Sequence, residues 1–233
     1  MTTGAVRTPL SRERVLAAAM ALADAEGLSA LTMRRLAADL GVEAMSLYYH
    51  VPGKEGLLDG LSEAVLVAIN AAVAARVTTD DDWRTALRHR CLAAREVMVR
   101  HRWAPGLLGS RSSIPPGLYP YYEEILATMI RGGLSYHLAH RAIHALGTMV
   151  LGFTQELFSP DSEGGTMDEE PAEAEFAAMA AVLPHLTAMV ASEVHDNDED
   201  PLGWCDSQNE FEFTLALLLD GLARAAEGSD LRK

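Results

Sequence analysis

The chain has 233 residues, 49% of them apolar, and a formal net charge of −14. That length and composition suit a globular protein of one large or two smaller domains and exclude a disordered polar chain. The acidic balance argues against nucleic acid as a partner of the whole surface, because phosphate binding asks for a basic one. Residues 1–9 show no periodic pattern and read as a flexible arm. Ser11 is placed to cap a helix over 12–26, whose Val15, Leu16, Ala19, Leu22 and Ala23 form one apolar stripe, and Gly27 ends it. Thr32 is placed to cap a second helix over 33–40, with Leu36, Ala37 and Leu40 at helical spacing. Gly41 then stands where a helix must stop, since glycine takes positive φ at little cost. Val42 plugs the angle to a third helix over 44–50, which is buried through Leu47 and Val51. Met45, Ser46, Tyr48, Tyr49 and His50 are left on other faces, an odd mix for a solvated surface. A short helix with an aromatic, hydroxyl-bearing outer face behind a glycine turn is the form of a helix-turn-helix DNA reader.

Pro52 and Gly53 break the chain, and Lys54 opens a helix over 54–75 with Leu57, Leu58, Leu61, Val65 and Ile69 at helical spacing. At the standard rise it is about 30 Å long. Asp80, Asp81 and Asp82 complement the N-terminal dipole of the next helix, over 81–102. Its arginines (Arg84, Arg88, Arg90, Arg95, Arg100 and Arg102) read as a solvated face paired with the acidic remainder. The stretch 103–120 holds four prolines and three glycines and reads as an irregular pocket rim with at most one helical turn. A helix over 118–131 ends at Gly132 and Gly133, and Ser135 caps another running to about 157, apolar nearly all round. A polar loop over 159–172 precedes a helix over 173–192 that Pro184 must break or kink. An acidic linker, 195–201, leads to a last helix over 207–226, where Phe211, Phe213, Leu215, Leu217, Leu218, Leu219 and Leu222 cover more than one face. No segment alternates as a strand does. The expected fold is all-α, with a three-helix head in residues 1–60 and a larger helical domain in 61–233.

The charge is unevenly placed. Residues 1–60 carry six Lys/Arg against seven Asp/Glu, and the rest of the chain thirteen against twenty-six. Between Arg141 and Arg224 there is no Lys or Arg at all, so a near-neutral head can meet DNA while the acidic part faces away. No leader opens the sequence and no apolar run approaches a membrane span, so the cytoplasm is the expected location, with no membrane partner. Cys91 and Cys205 are too few and too far apart for a disulfide framework or a metal knuckle. No glycine-rich phosphate loop, paired metal motif or nucleophile elbow is present, so an enzyme is not expected, nor a cofactor. His137, His140 and His144 share one helix face, which leaves open a helical metal protein, though polar groups in a ligand cavity are the preferred reading.

The stretch from Arg12 to about Leu61, carrying ALADAEGLSALTMRRLAADLGVEAMSLYYHVPGKEGLLDGL, resembles the DNA-binding domain of the TetR family of bacterial repressors. DDWRTALR, LLGSR, the helix up to MVLGFTQEL and the closing FEFTLALLLDGL resemble, more loosely, the tetracycline-repressor-like ligand domain. The resemblance implies a homodimer on a palindromic operator, released by a small-molecule inducer bound in the C-terminal domain. It puts DNA contacts at Thr32, Arg34, Ala44, Met45, Ser46, Tyr48, Tyr49, His50 and Lys54. Arg34 suits a bidentate base contact or a phosphate, the hydroxyls and Lys54 suit phosphate, and Ala44 and Met45 suit thymine methyls. Where tetracycline repressors have a magnesium-binding histidine this chain aligns Leu107, and where they have a histidine late in the connecting helix it aligns Asn70; only Glu156 keeps an acidic side chain where a metal-linked glutamate is expected. A magnesium–tetracycline effector is therefore not expected, and the effector's identity stays open. The ligand pocket is expected among Met98, Trp103, Leu107, Met129, His140, His144, Met149 and Phe153, with Ile143 and Gly147 alongside. Dimerisation is expected through the helices near 135–157 and 207–226. A regulator with the same head and no small-molecule inducer is the alternative.

Overall fold

The structure is a computed structural model that describes residues 9–76, 78, 81–111, 114–154, 180–193 and 207–230. Among the described residues the helices are α1 Arg12–Glu26, α2 Met33–Leu40, α3 Ala44–Leu47, α4 Gly53–Ala74, α5 Trp83–Arg100, α6 Ala104–Ser110, α7 Tyr119–Arg131, α8 Tyr136–Gly152, α9 Pro184–Glu193 and α10 Ser207–Asp230. Tight 3-10 turns stand at Leu28–Ala30 and Pro116–Leu118, and no described residue lies in a strand. The fold is all-α, as its periodicity predicts. Contacts divide the chain into two compact units, Met1–His140 and Arg141–Lys233, so the boundary falls within α8. The predicted loop 159–172, the linker 195–201, Glu156 and Cys205 lie outside the described residues.

In the first unit, α1 to α3 and the start of α4 close around one core. Val15, Leu16, Ala19, Leu22, Leu31, Leu36, Ala37, Leu47, Val51, Leu57 and Leu61 are all buried in it. Each buried leucine is worth about 1.5–3 kcal/mol relative to exposure, which holds helices of eight and four residues that would not persist alone. The caps are where the sequence puts them. Ser11 Oγ accepts from the Arg14 amide at 3.2 Å, and Thr32 Oγ1 from the Arg35 amide at 3.1 Å.

α3 is shorter than the expected 44–50. Regular helix stops at Leu47, and residues 48–50 form a turn in which the amides of His50 and Val51 both donate to the Leu47 carbonyl at 2.9 Å. Pro52 is the physical reason, because it steers the residue before it away from helical backbone. The stretch 103–120 departs the other way: it contains α6, seven residues long, where an irregular rim was expected. Pro105 lies in the first turn, where its missing N–H costs no hydrogen bond, and Ala104 and Leu107 are buried. Leu107 joins the core of the head itself, with Trp103 packed against it.

α4 is long and apolar enough to cross a membrane by length and composition, contrary to the expectation that no such run exists. Its Leu57, Leu61, Val65 and Ile69 are fully buried in the fold, which makes it a core helix. The arginines of α5 are also not one solvated face. Arg95 is buried, and Arg90 points inward between α4 and α7. At the start of α5, Asp82 Oδ1 accepts from the Thr85 amide at 2.7 Å while Asp81 Oδ2 accepts from the Thr78 amide at 3.0 Å. Both carboxyls are held below their ordinary pKa, first by those backbone bonds. Cys91 is a buried thiol, its pKa pushed up to about 12 by burial.

α8 is not apolar all round. Ala139, Ala142, Leu146, Met149 and Val150 are buried, but His137, His140, Arg141, His144 and Thr148 are exposed. Ser135 caps it, its Oγ accepting from the Leu138 amide at 3.2 Å. In the second unit Phe153 meets Phe211 edge to face at 5.6 Å. Residues 180–182 are helical, Leu183 is not, and Pro184 opens α9, so the proline marks a break rather than a bend. Leu186 and Met189 on α9 and Phe213 and Leu217 on α10 are exposed.

Candidate nucleic-acid interface

The interface is built on the turn between α2 and α3. Gly41 has φ 65 and ψ 37, left-handed backbone that a side chain makes costly. Its amide donates to the Ala38 carbonyl at 3.1 Å and the Val42 amide to the Ala37 carbonyl at 3.0 Å. These two bonds are the paired closure of a glycine-ended helix, and the half-buried Val42 packs on the core beside buried Ala37. The angle between α2 and α3 is therefore set by the backbone and by packing together. Behind the turn, Leu47 and Val51 are fully buried and fix which face of α3 looks outward.

What looks outward is apolar and aromatic. Met45 is 70% exposed, Tyr48 50% and Tyr49 90%. Ala44, Ser46 and His50 are half-buried around them, and Thr32, Arg34 and Lys54 are exposed. Large apolar groups this open, with a complete core directly beneath, mark a surface made for a partner. The two adjacent arginines of α2 divide the work. Arg35 is held by Asp39 at 3.1 Å and by Glu26 at 2.7 Å, and those hydrogen bonds raise its pKa. Among the described residues Arg34 and Lys54 have no such bond, so the unneutralised cations flank α3. Thr32 does two things at once: its oxygen caps α2, while its hydroxyl hydrogen stays available to an acceptor.

Contacts from outside the three helices secure the head. Asp24 Oδ1 on α1 is shared by His101 Nδ1 at 2.8 Å and Trp103 Nε1 at 2.6 Å. Arg111 reaches from the end of α6 to Glu55 at 2.9 Å and Asp59 at 2.6 Å on α4, and Arg12 pairs with Glu63 at 2.7 Å. Spacing alone does not show these partners, because each links residues far apart in the chain.

The expected pocket residues are divided between the units. Met98 and Met129 are buried in the first, which also places Leu107 in the core of the head with Trp103 packed against it. His140 ends the first unit on an exposed face; His144, also exposed, Met149 and Phe153 belong to the second. Asn70 Oδ1 accepts from Arg90 at 2.9 Å. A guanidinium on Asn70 and an aliphatic side chain at Leu107 do not make a donor set for a divalent ion, so these positions do not fit a magnesium site. Among the described residues no three His, Cys, Asp or Glu side chains are gathered as a metal ion needs.

A capped helix-turn-helix with an exposed reading face, carried on a larger helical body, defines a DNA-binding transcriptional regulator. The chain belongs to the TetR family of bacterial regulatory proteins: that family's model matches residues 15–61, and the model of the tetracyclin repressor-like C-terminal domain matches 77–226. It is 33% identical to the HTH-type transcriptional repressor DrrR1 of Streptomyces coeruleorubidus, over 91% of this chain and 77% of that one. It is 28% identical to the class C tetracycline repressor of Escherichia coli, over 92% and 91%. Among solved structures, apo ActR of Streptomyces coelicolor matches with TM-score 0.71 and 26% identity, covering 95% of this chain and 99% of that one. ActR in complex with actinorhodin matches with TM-score 0.65 and 25% identity, covering 94% and 99%.

Proposed function

We propose that the protein is a homodimeric repressor that binds a palindromic operator through residues 1–60 and is released by a small molecule bound within residues 61–233. The observation that carries the DNA-reading part is the exposed Met45, Tyr48 and Tyr49 surface flanked by Arg34 and Lys54. Thr32, Ser46, Tyr48, Tyr49 and Lys54 position the backbone phosphates, Arg34 takes a base edge or phosphate, Ala44 and Met45 meet thymine methyls, and His50 is a further contact. Apolar side chains left open on α9 and α10 support the pairing of two chains, and α8 with α10 supplies the surfaces for it. Two-fold symmetry then sets half-sites about 34–36 Å apart or somewhat more. A repressor acting on a DNA operator is expected to work in the cytoplasm.

Effector control rests on relatives that are named as tetracycline repressors or were solved with actinorhodin. An effector can release DNA only by binding better to a conformation whose heads are wrongly placed. The candidate effector contacts are Met98, Trp103, Leu107, Met129 and His140 in the first unit and His144, Met149 and Phe153 in the second. Selection of bound DNA from a random pool, repeated against a panel of metabolites and antibiotics, tests the reading. A two-fold symmetric consensus whose binding is lost with one class of compound is expected. An asymmetric consensus, or a monomer by light scattering at micromolar concentration, defeats the dimer; binding indifferent to every compound defeats effector control.

A further inference from the structure

We propose that Gly56 is a positioning residue for DNA binding: the room it leaves for the Pro52 ring fixes the corner between the reading turn and α4, and with it Lys54 and Tyr48. This rests on the reading of Lys54 and Tyr48 as DNA contacts. Gly56 stands three residues into α4, where alanine holds a helix better than glycine does, so helix stability does not account for it. Space does. A Cβ added at Gly56 would lie 2.5 Å from both Cγ and Cδ of Pro52, far inside the separation at which carbon atoms pack. Gly60, one turn further along α4, makes a softer approach. A Cβ there would meet Leu16 Cδ2 at 2.6 Å, the end of a side chain that can rotate. The pyrrolidine ring has no such freedom, because it is closed onto the backbone and fixes φ.

The corner that carries the ring is tightly specified. Pro52 has φ −78 and ψ 73, and the Gly53 amide donates to the Val51 carbonyl at 2.9 Å, the closure of an inverse γ-turn. Gly53 follows at φ 76. α1, α2 and α5 each open on a side-chain cap, from Ser11, Thr32 and Asp82, whereas α4 opens on Pro52 with none. The ring seated on Gly56 holds the start of α4 where a cap hydrogen bond would. The corner also bears on the reading face. Tyr48 Cε1 comes within 3.9 Å of the place where a Gly53 side chain would begin, and exposed Lys54 is the next residue. Leu57 and Leu61 are fully buried and hold α4 in the core, so a methyl group at position 56 displaces the ring rather than the helix. Lys54 and the Tyr48 ring then shift with the corner.

The test uses the full chain and DNA selected from a random pool. Gly56→Ala is expected to lower the salt slope of binding by about one, the worth of one phosphate contact, with helix content by circular dichroism unchanged. Made together with Lys54→Ala, it should cost no more slope than Lys54→Ala alone, because both act on one contact. The geometry also sets the rescue. Pro52→Ala removes Cγ and Cδ and leaves Cβ, which lies 3.5 Å from the added carbon, an ordinary contact. In a Pro52→Ala background, Gly56→Ala is therefore expected to leave the slope where it was. A slope unmoved by Gly56→Ala in the unaltered protein, or lowered equally in both backgrounds, overturns the proposal. The corner is also read without DNA, from the Tyr48 ring resonances by NMR. Gly56→Ala should shift them in the unaltered protein and not in the Pro52→Ala background; equal shifts, or none, overturn the corner itself. If Lys54→Ala leaves the slope unchanged, the reading of Lys54 as a DNA contact fails, and the Tyr48 resonances judge the corner independently of it.

Discussion

The turn of the head and the seam between α4, α5 and α7 use the same residue type in opposite ways. At the turn, Arg34 and Lys54 are left without internal partners beside an exposed reading face, while Arg35 is tied to Glu26 and Asp39. In the seam, Arg90 is drawn inside onto Asn70, Glu124 and Tyr121, and Arg76 and Arg100 both pair with Glu96. A formal count of −14 does not distinguish the two. DNA binding by an acidic protein depends on where cations lack partners, and in the seam the cations have them.

The contrast can be broken first from beneath. Leu47→Ala removes a fully buried side chain behind the reading face and is expected to cost about 2–5 kcal/mol, with both the urea midpoint and operator binding falling. Arg34→Ala is the next largest effect. It should weaken operator binding by about 1–3 kcal/mol if the contact is to a base edge, with the melting temperature nearly unchanged. Lys54→Ala should reduce the salt slope of binding by about one. Arg35→Ala, one residue from Arg34, is expected to leave that slope alone, and an equal loss in the two arginine variants would erase the distinction between them. Gly41→Ala should destabilise by about 1–2 kcal/mol, because the left-handed backbone is kept and strained. The smallest effect is one of pH. Asp81 and Asp82 have folded pKa values below their unfolded ones, so their stabilisation is full above the ordinary aspartate range near 4 and is lost as pH falls through the folded values. Asp82→Asn keeps an acceptor oxygen and should flatten the fall of the urea midpoint between about pH 5 and 3.

The head was legible because its signals are local. Ser11, Thr32 and Gly41 act within three or four residues of themselves, and the stripe of α1 is the buried face that spacing predicts. α6 was not legible, because Pro105, Gly106 and Gly109 read as breakers, and only the burial of Leu107 in a distant core offsets them. Periodicity could not sort the arginines of α5 either, since polar residues on several faces leave the inward ones unnamed; for Arg90, Asn70, Tyr121 and Glu124 decide it. For the reading face, sequence gave the residues and structure their openness. Arg34 and Arg35 are indistinguishable until Glu26 and Asp39 are seen around one of them.

The brevity of α3 has a consequence for how much a single head can specify. Four residues rise about 6 Å along a helix, against about 3.4 Å per base-pair step. One reading helix therefore spans roughly two steps. A genome offers about 10⁶–10⁹ competing positions, so a word that short recurs everywhere. Lengthening the address by repeating the same word at a fixed interval supplies the missing information without a longer helix.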